Sequence, residues 1–242
     1  MHDAHADAWA WEGRVREPFG GGSARLGGLR LMASGLPDAR WNNADVTGPD
    51  PDLSAAAAWY AALGVPWGLR VPHGRAVSVG TPLFVKRCFA LAAGDARFAG
   101  ALPADVVVRR AEPTDLERFV GVEAAAFGDP LAVARRWIGP AWGAPGFEHW
   151  LGEVRGRPAA VATTVTTAGD AGGATMVTGL GRLSGTPAGL STGLLRHVLA
   201  SLAATAPRQL VHVHVAPGDD LAPLAHLGFR EFDGLTVRVV VA

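Results

Sequence analysis

The stretch Gly189-Leu190-Ser191-Thr192-Gly193 opens an apolar helix, and behind it come Leu210-Val211-His212-Val213-His214-Val215 and Leu227-Gly228-Phe229-Arg230-Glu231. Leu190, Leu194, Leu195, Val198, Leu199 and Leu202 recur at helical spacing, which predicts a helix over 190–204 with Arg196 on its wet face. A turn of small residues leaves backbone N–H groups uncovered at the start of that helix, where the positive end of its dipole also lies. Such a turn suits a phosphate. A strand over 175–183 precedes the turn and a Val-rich strand over 210–215 follows the helix, so the order is strand, loop, helix, strand.

The alternation continues upstream. Ala99-Gly100-Ala101-Leu102-Pro103-Ala104 reads as a linker and divides the chain into 1–104 and 105–242. In the second part a strand over 106–109 leads to a helix from Leu116, with Thr114 as its N-cap, and a second helix over 131–138 is bounded by Asp129-Pro130 and Gly139-Pro140. Strands over 148–154 and 159–167 form a hairpin across Arg155-Gly156. In the first part a weak helical pattern around 8–16 breaks at Gly20-Gly21-Gly22 and reads as peripheral. Strands are expected over 29–32, 40–46 and 65–71, with a helix over 55–63 that starts after Pro51-Asp52-Leu53-Ser54 and stops at Gly64.

Bulk composition narrows the function classes. The 242 residues are 49% hydrophobic, enough for a sizeable core, and 22 Lys plus Arg balance 22 Asp plus Glu. No basic surplus argues for nucleic acid. Cys88 is the one cysteine, which excludes an intramolecular disulfide framework and multi-cysteine metal sites. Met1-His2-Asp3-Ala4-His5 is neither a basic nor an apolar leader, and no run reaches the ~18 apolar residues that span a bilayer. The expectation is a cytoplasmic protein with no membrane or nucleic-acid partner.

In order and spacing, residues 105–242 resemble the GNAT acetyltransferase superfamily. The resemblance implies an α/β fold, a mixed sheet flanked by helices, with acetyl-CoA as cosubstrate. It implies that Leu180, Gly181, Arg182 and Leu183 run beside pantetheine, while the loop with Gly189, Leu190, Ser191, Thr192 and Gly193 holds the pyrophosphate. The family loop runs Gln or Arg, two residues, Gly, one residue, Gly or Ala. Here Thr186-Pro187-Ala188-Gly189-Leu190-Ser191 fills it, so the basic residue is replaced by Thr186 and Pro187 removes an N–H. The family's thiolate-protonating tyrosine stands four residues before the Gly of Leu-Gly-Phe, which is Leu224 here, and the sole tyrosine is Tyr60. No catalytic residue is assigned from the motif. Leu36-Pro37-Asp38, 41–46 and 65–72 resemble the degenerate, cofactor-free N-terminal half of two-part members of the family.

The implied activity is transfer of an acetyl group to an amine of a small molecule or peptide, by a monomer or a homodimer. Two alternatives stay open: a GNAT-like binding or sensing protein without catalysis, and a different enzyme on the same fold acting on an acyl thioester or a natural-product intermediate. Glu123 reads either as a general base in the cleft or as an ordinary surface carboxylate. Glu148-His149-Trp150 either lines an acceptor pocket or is a strand edge with Trp150 in the core. His212 and His214 share one face of a strand, but no third ligand stands at suitable spacing, so no metal site is expected. Trp41, Trp59 and Trp67 read as core, or as an aromatic wall for a flat substrate.

Overall fold

A computed structural model describes residues 1–98, 102–168, 173–187, 189–219 and 221–240. Ala99, Gly100 and Ala101 of the expected linker and Ala188 of the expected phosphate loop lie outside the described residues. The chain forms two compact units. The first comprises Met1–Cys88, His214–Asp219 and Phe232–Ala242, and the second Phe89–Val213 and Asp220–Glu231.

In the first unit, α1 (His2–Val15) precedes the hairpin β1 (Gly22–Leu26) and β2 (Leu29–Ala33). Strand β3 (Asn42–Val46), helix α2 (Leu53–Leu63) and strand β4 (Trp67–Pro72) follow, with β3 and β4 parallel. The strand order is β1-β2-β3-β4-β11, where β11 (Arg230–Val240) pairs antiparallel with β4 from Leu235↔Pro72 to Val240↔Trp67. Leu29, Leu31, Ala44, Leu69, Tyr60 and Trp67 fill the core, and the Tyr60 and Trp67 rings stack 4.9 Å apart. Trp67 is thus packing material. The N-terminal segment is not peripheral: α1 buries His5, Ala6, Ala8, Trp9 and Glu12. Its amphipathic pattern is weak because the buried face itself carries polar residues.

One of those polar groups belongs to an internal ion cluster. Arg70 donates to both carboxylate oxygens of Asp45, Nε to Oδ1 at 2.8 Å and Nη2 to Oδ2 at 2.5 Å, and its guanidinium lies 4.4 Å from the Trp9 ring. His5 Nε2 is 3.8 Å from Asp45 Oδ1. Burial pushes the Asp45 carboxyl above its ordinary value although Arg70 pulls it down. Removing one member of a buried pair leaves the other uncompensated, so Asp45→Asn should destabilise the protein by about 3 kcal/mol or more. Thermal unfolding checks this, and a Tm within a degree or two of wild type would refute it.

In the second unit the strand order is β10-β9-β8-β7-β6: β6 (Val106–Arg110), β7 (Phe147–Val154), β8 (Arg157–Thr167), β9 (Ala174–Arg182) and β10 (Leu210–Val215). Neighbours are antiparallel except β9 and β10, which are parallel. Helices α3 (Leu116–Phe127) and α4 (Leu131–Ile138) connect β6 to β7, and α5 (Leu190–Thr205) connects β9 to β10. Alternation along β7 puts α3 and α5 on opposite faces: His149 packs on Phe119 of α3, whereas Trp150 meets His197 of α5. The start of α3 is fixed by a capping box between Glu112 and Asp115 in the turn before it, not by Thr114, which is exposed. Arg109 donates to both Asp115 and Glu153 and holds the Asp115 carboxyl below the usual carboxylate range.

Strand β5 (Thr81–Ala92) contributes Thr81 to Cys88 to the first unit and Phe89 to Ala92 to the second. Among the described residues, no helix is long and apolar enough to cross a membrane.

Candidate functional site

The site is built around β9. Its pairing with β10 runs from Ala174↔Leu210 to Val177↔Val213 and ends there. On the other side the register with β8 slips between Val161↔Gly181 and Thr163↔Thr178, so β9 carries an extra residue. Gly179 sits in that bulge with φ +57°, a left-handed conformation that favours glycine. A parallel pair that parts beside a bulge leaves the backbone of 178–182 without a registered β10 partner, and its N–H and C=O groups are suited to an extended ligand.

Helix α3 lies against this stretch. Glu123 is 4% exposed, and its Oε1 and Oε2 lie 3.4 and 3.5 Å from where a Cβ on Gly179 would stand. One turn later the Phe127 ring lies against Gly181, where a Cβ would come within 2.8 Å of Cε2. Glycine at 181 therefore sets how closely α3 approaches β9. Leu180 is half-buried and Arg182 and Gly189 are exposed.

The β9–α5 loop begins with Leu183, whose carbonyl accepts from Thr186 Oγ1 at 2.6 Å. Arg182 Nη1 donates to the Thr186 carbonyl at 3.4 Å, which puts a guanidinium on the loop at the position that lacks a basic residue in sequence. Leu190 N donates to Pro187 O at 3.0 Å, and α5 starts at Leu190 without a side-chain cap. Ser191 and Thr192 are half-buried in its first turn, and Gly193 is buried. The loop thus leads into a 16-residue helix whose first turn carries two hydroxyl side chains, with one guanidinium on the loop, groups suited to an anion.

Leu224 is 6% exposed in α6 (Ala222–Leu227), a core position with no proton to give. Tyr60 belongs to the first unit, where its hydroxyl donates to Met32 O at 3.1 Å and burial raises its pKa. It is a structural residue.

The first unit has the matching parallel strands β3 and β4, but its loop before α2 is built against anions. Asp52 Oδ1 accepts from Ala55 N at 2.9 Å and so caps the helix with a negative charge, while Pro49 and Pro51 have no N–H. A cavity of about 270 Å³ beside it is lined by Val46, Pro49, Pro51, Arg75, Ala76 and Val77.

Other candidates resolve as structure. His149 is buried, with Nδ1 3.0 Å from Thr163 Oγ1 and Nε2 3.4 Å from Ala141 O, and it stacks on Trp142. Glu148 pairs with Arg110 at 2.8 Å, and Trp150 is 2% exposed and belongs to the core; β7 pairs with both β6 and β8, so this stretch is not a strand edge. His212 lies in the second unit, where burial lowers its pKa to about 4 and keeps it neutral near pH 7. His214 lies in the first, stacked on His5 at 3.7 Å with the rings 14° apart.

No protein-family model matches the chain, and no curated protein is significantly similar to it. Solved structures are. A GCN5-related N-acetyltransferase from Kribbella flavida superposes with a TM-score of 0.70 at 18% identity, over 99% of this chain and 96% of that one. A tandem GNAT protein from the clavulanic acid biosynthesis pathway gives 0.57 at 16%, over 88% and 78%. A GCN5-related N-acetyltransferase from Sphaerobacter thermophilus gives 0.57 at 12%, over 88% and 78%. At these identities the likeness speaks for architecture: the chain has the two-part fold of the GNAT acetyltransferases.

Proposed function

We propose that the second unit is a CoA-dependent N-acyltransferase that passes an acetyl group from acetyl-CoA to an amine of a small molecule or peptide. The observation that carries the reading is the parting of β9 from β10 beside the Gly179 bulge, with the Glu123 carboxylate on the bulge. Acetyl-CoA supplies the activated acyl group. The open backbone of 178–182 aligns the pantetheine arm and polarises the thioester carbonyl. The first turn of α5 and Arg182 take the pyrophosphate. Glu123 accepts the proton from the amine as the N–C bond forms and the C–S bond breaks. The departing thiolate takes its proton from water, because Leu224 fills the place of the family's acid.

A second reading is a sensing protein that binds without turnover. Leu224, Thr186 and Pro187 favour it, since all three stand where the family keeps chemistry. One experiment separates the two: calorimetric titration with acetyl-CoA, followed by thiol release over a panel of amines. Under the first reading the protein binds acetyl-CoA, and Arg182→Ala weakens it about tenfold, the worth of one charge-assisted contact to phosphate. Binding with no thiol release supports the second reading. No heat at millimolar acetyl-CoA in a folded sample overturns both, and unchanged affinity in Arg182→Ala removes that residue's role.

A further inference from the structure

We infer that the acceptor of the second unit is an amine on an apolar body, an alkyl or aryl group seated on Phe127 and Leu131; this rests on the acyltransfer reading above. Glu123 and Phe127 stand one turn apart on α3 and share one side of it. Both face glycines of the same strand, Glu123 at Gly179 and Phe127 at Gly181. Carboxylate and ring therefore lie in a row along the open stretch of β9.

The row runs from the interior outward. Glu123 is 4% exposed, Phe127 is 44% exposed, and after the turn at Gly128 the chain opens α4 with Leu131, 51% exposed. Two large apolar side chains left in water cost hydration free energy that a ligand recovers by covering them. Phe127, at the outer end of a row that leads to a carboxylate, with Leu131 exposed four residues further along the chain, matches a ligand with an ammonium or amine at one end and hydrocarbon at the other. Short hydroxylated amines and diamines would leave the ring and Leu131 wet, and a diamine would also set its second charge against hydrocarbon. A protein surface docking on the same two residues is the competing occupant, and the test below separates it.

The test uses the full chain, with hexylamine and 2-phenylethylamine against ethanolamine and 1,4-diaminobutane. Binding is followed by calorimetry or ligand-observed NMR, and turnover by thiol release from acetyl-CoA. The apolar amines should bind about tenfold tighter than the polar pair, and Phe127→Ser should erase that preference and raise their KM about tenfold while acetyl-CoA binding is retained. Equal binding of polar and apolar amines, no binding of the apolar pair, or an unchanged preference in Phe127→Ser overturns the inference and leaves the patch to a protein partner. Apolar amines that bind without thiol release keep the apolar seat and sink the acyltransfer reading; thiol release with the polar amines alone does the reverse.

Discussion

Glu123→Gln should lower kcat/KM for acetyl transfer by about 100-fold or more, the usual worth of a positioned general base, while acetyl-CoA binds as before. The amide has nearly the shape of the carboxylate, so the fold around Gly179 is kept and the proton acceptor alone is lost. Two measurements check this: steady-state thiol release at saturating acetyl-CoA, and a calorimetric titration with acetyl-CoA. A variant that keeps more than a third of the wild-type rate would mean that the amine loses its proton to water and that the carboxylate on the bulge is structural.

A fragment that begins at Asp105 should fail to fold as a stable domain. It lacks β4, so β11 loses the partner it has from Leu235↔Pro72 to Val240↔Trp67. It also lacks part of the second unit itself: Phe89 and Leu91, each 7% exposed, and the hydrogen bonds Ala93 N to Gln209 O, Gly94 N to Pro207 O and Arg97 N to Leu227 O. Burial of the two side chains contributes about 2 kcal/mol each, and the freed backbone groups add about 1 kcal/mol each. Against a total of ~5–15 kcal/mol, that loss lowers Tm by roughly 10–20 °C or leaves the fragment aggregated. Calorimetry and size-exclusion chromatography read the outcome, and a soluble fragment with the melting temperature of the full chain would show the first 104 residues to be dispensable.

How much of this was legible in the sequence depended on whether the signal was local. Helix α5 was legible because Leu190, Leu194, Leu195, Val198, Leu199 and Leu202 repeat on one face, and the loop before it because small residues cluster there. Strand β5 was not. Its run Leu83-Phe84-Val85-Lys86-Arg87 does not alternate between apolar and polar, and Leu83, Phe84 and Val85 are all exposed. Strand β1, Gly22-Ser23-Ala24-Arg25-Leu26, has no β-branched residue to announce it. The N-terminal helix was underrated for the opposite reason, since His5 and Glu12 on its buried face flatten the amphipathic pattern. Glu123 carried one local hint, a carboxylate within the apolar run Val120, Val122 and Ala124. What singles it out is the meeting of α3 with a bulge in a distant strand, and no spacing rule reports that. Arg182 is a similar case, for its place on the Thr186 carbonyl depends on how the loop folds back. Nothing in the composition of 214–219 or 232–242 marks them as belonging with residues 1–88; the pairing of β11 with β4 does.

That pairing also governs the order in which the protein is made. Residues 1–88 leave the ribosome before the strand that completes their unit, and β4 meets β11 only after synthesis has passed residue 240. Domains commonly fold as they emerge, N-terminal first, at about 5–20 residues per second. Here the first unit has to wait about 8–30 s with its fifth strand missing and the edge of β4 bare, an edge of the kind that pairs with other chains. Slowing translation late in the message lengthens that exposure, while slowing it early does not.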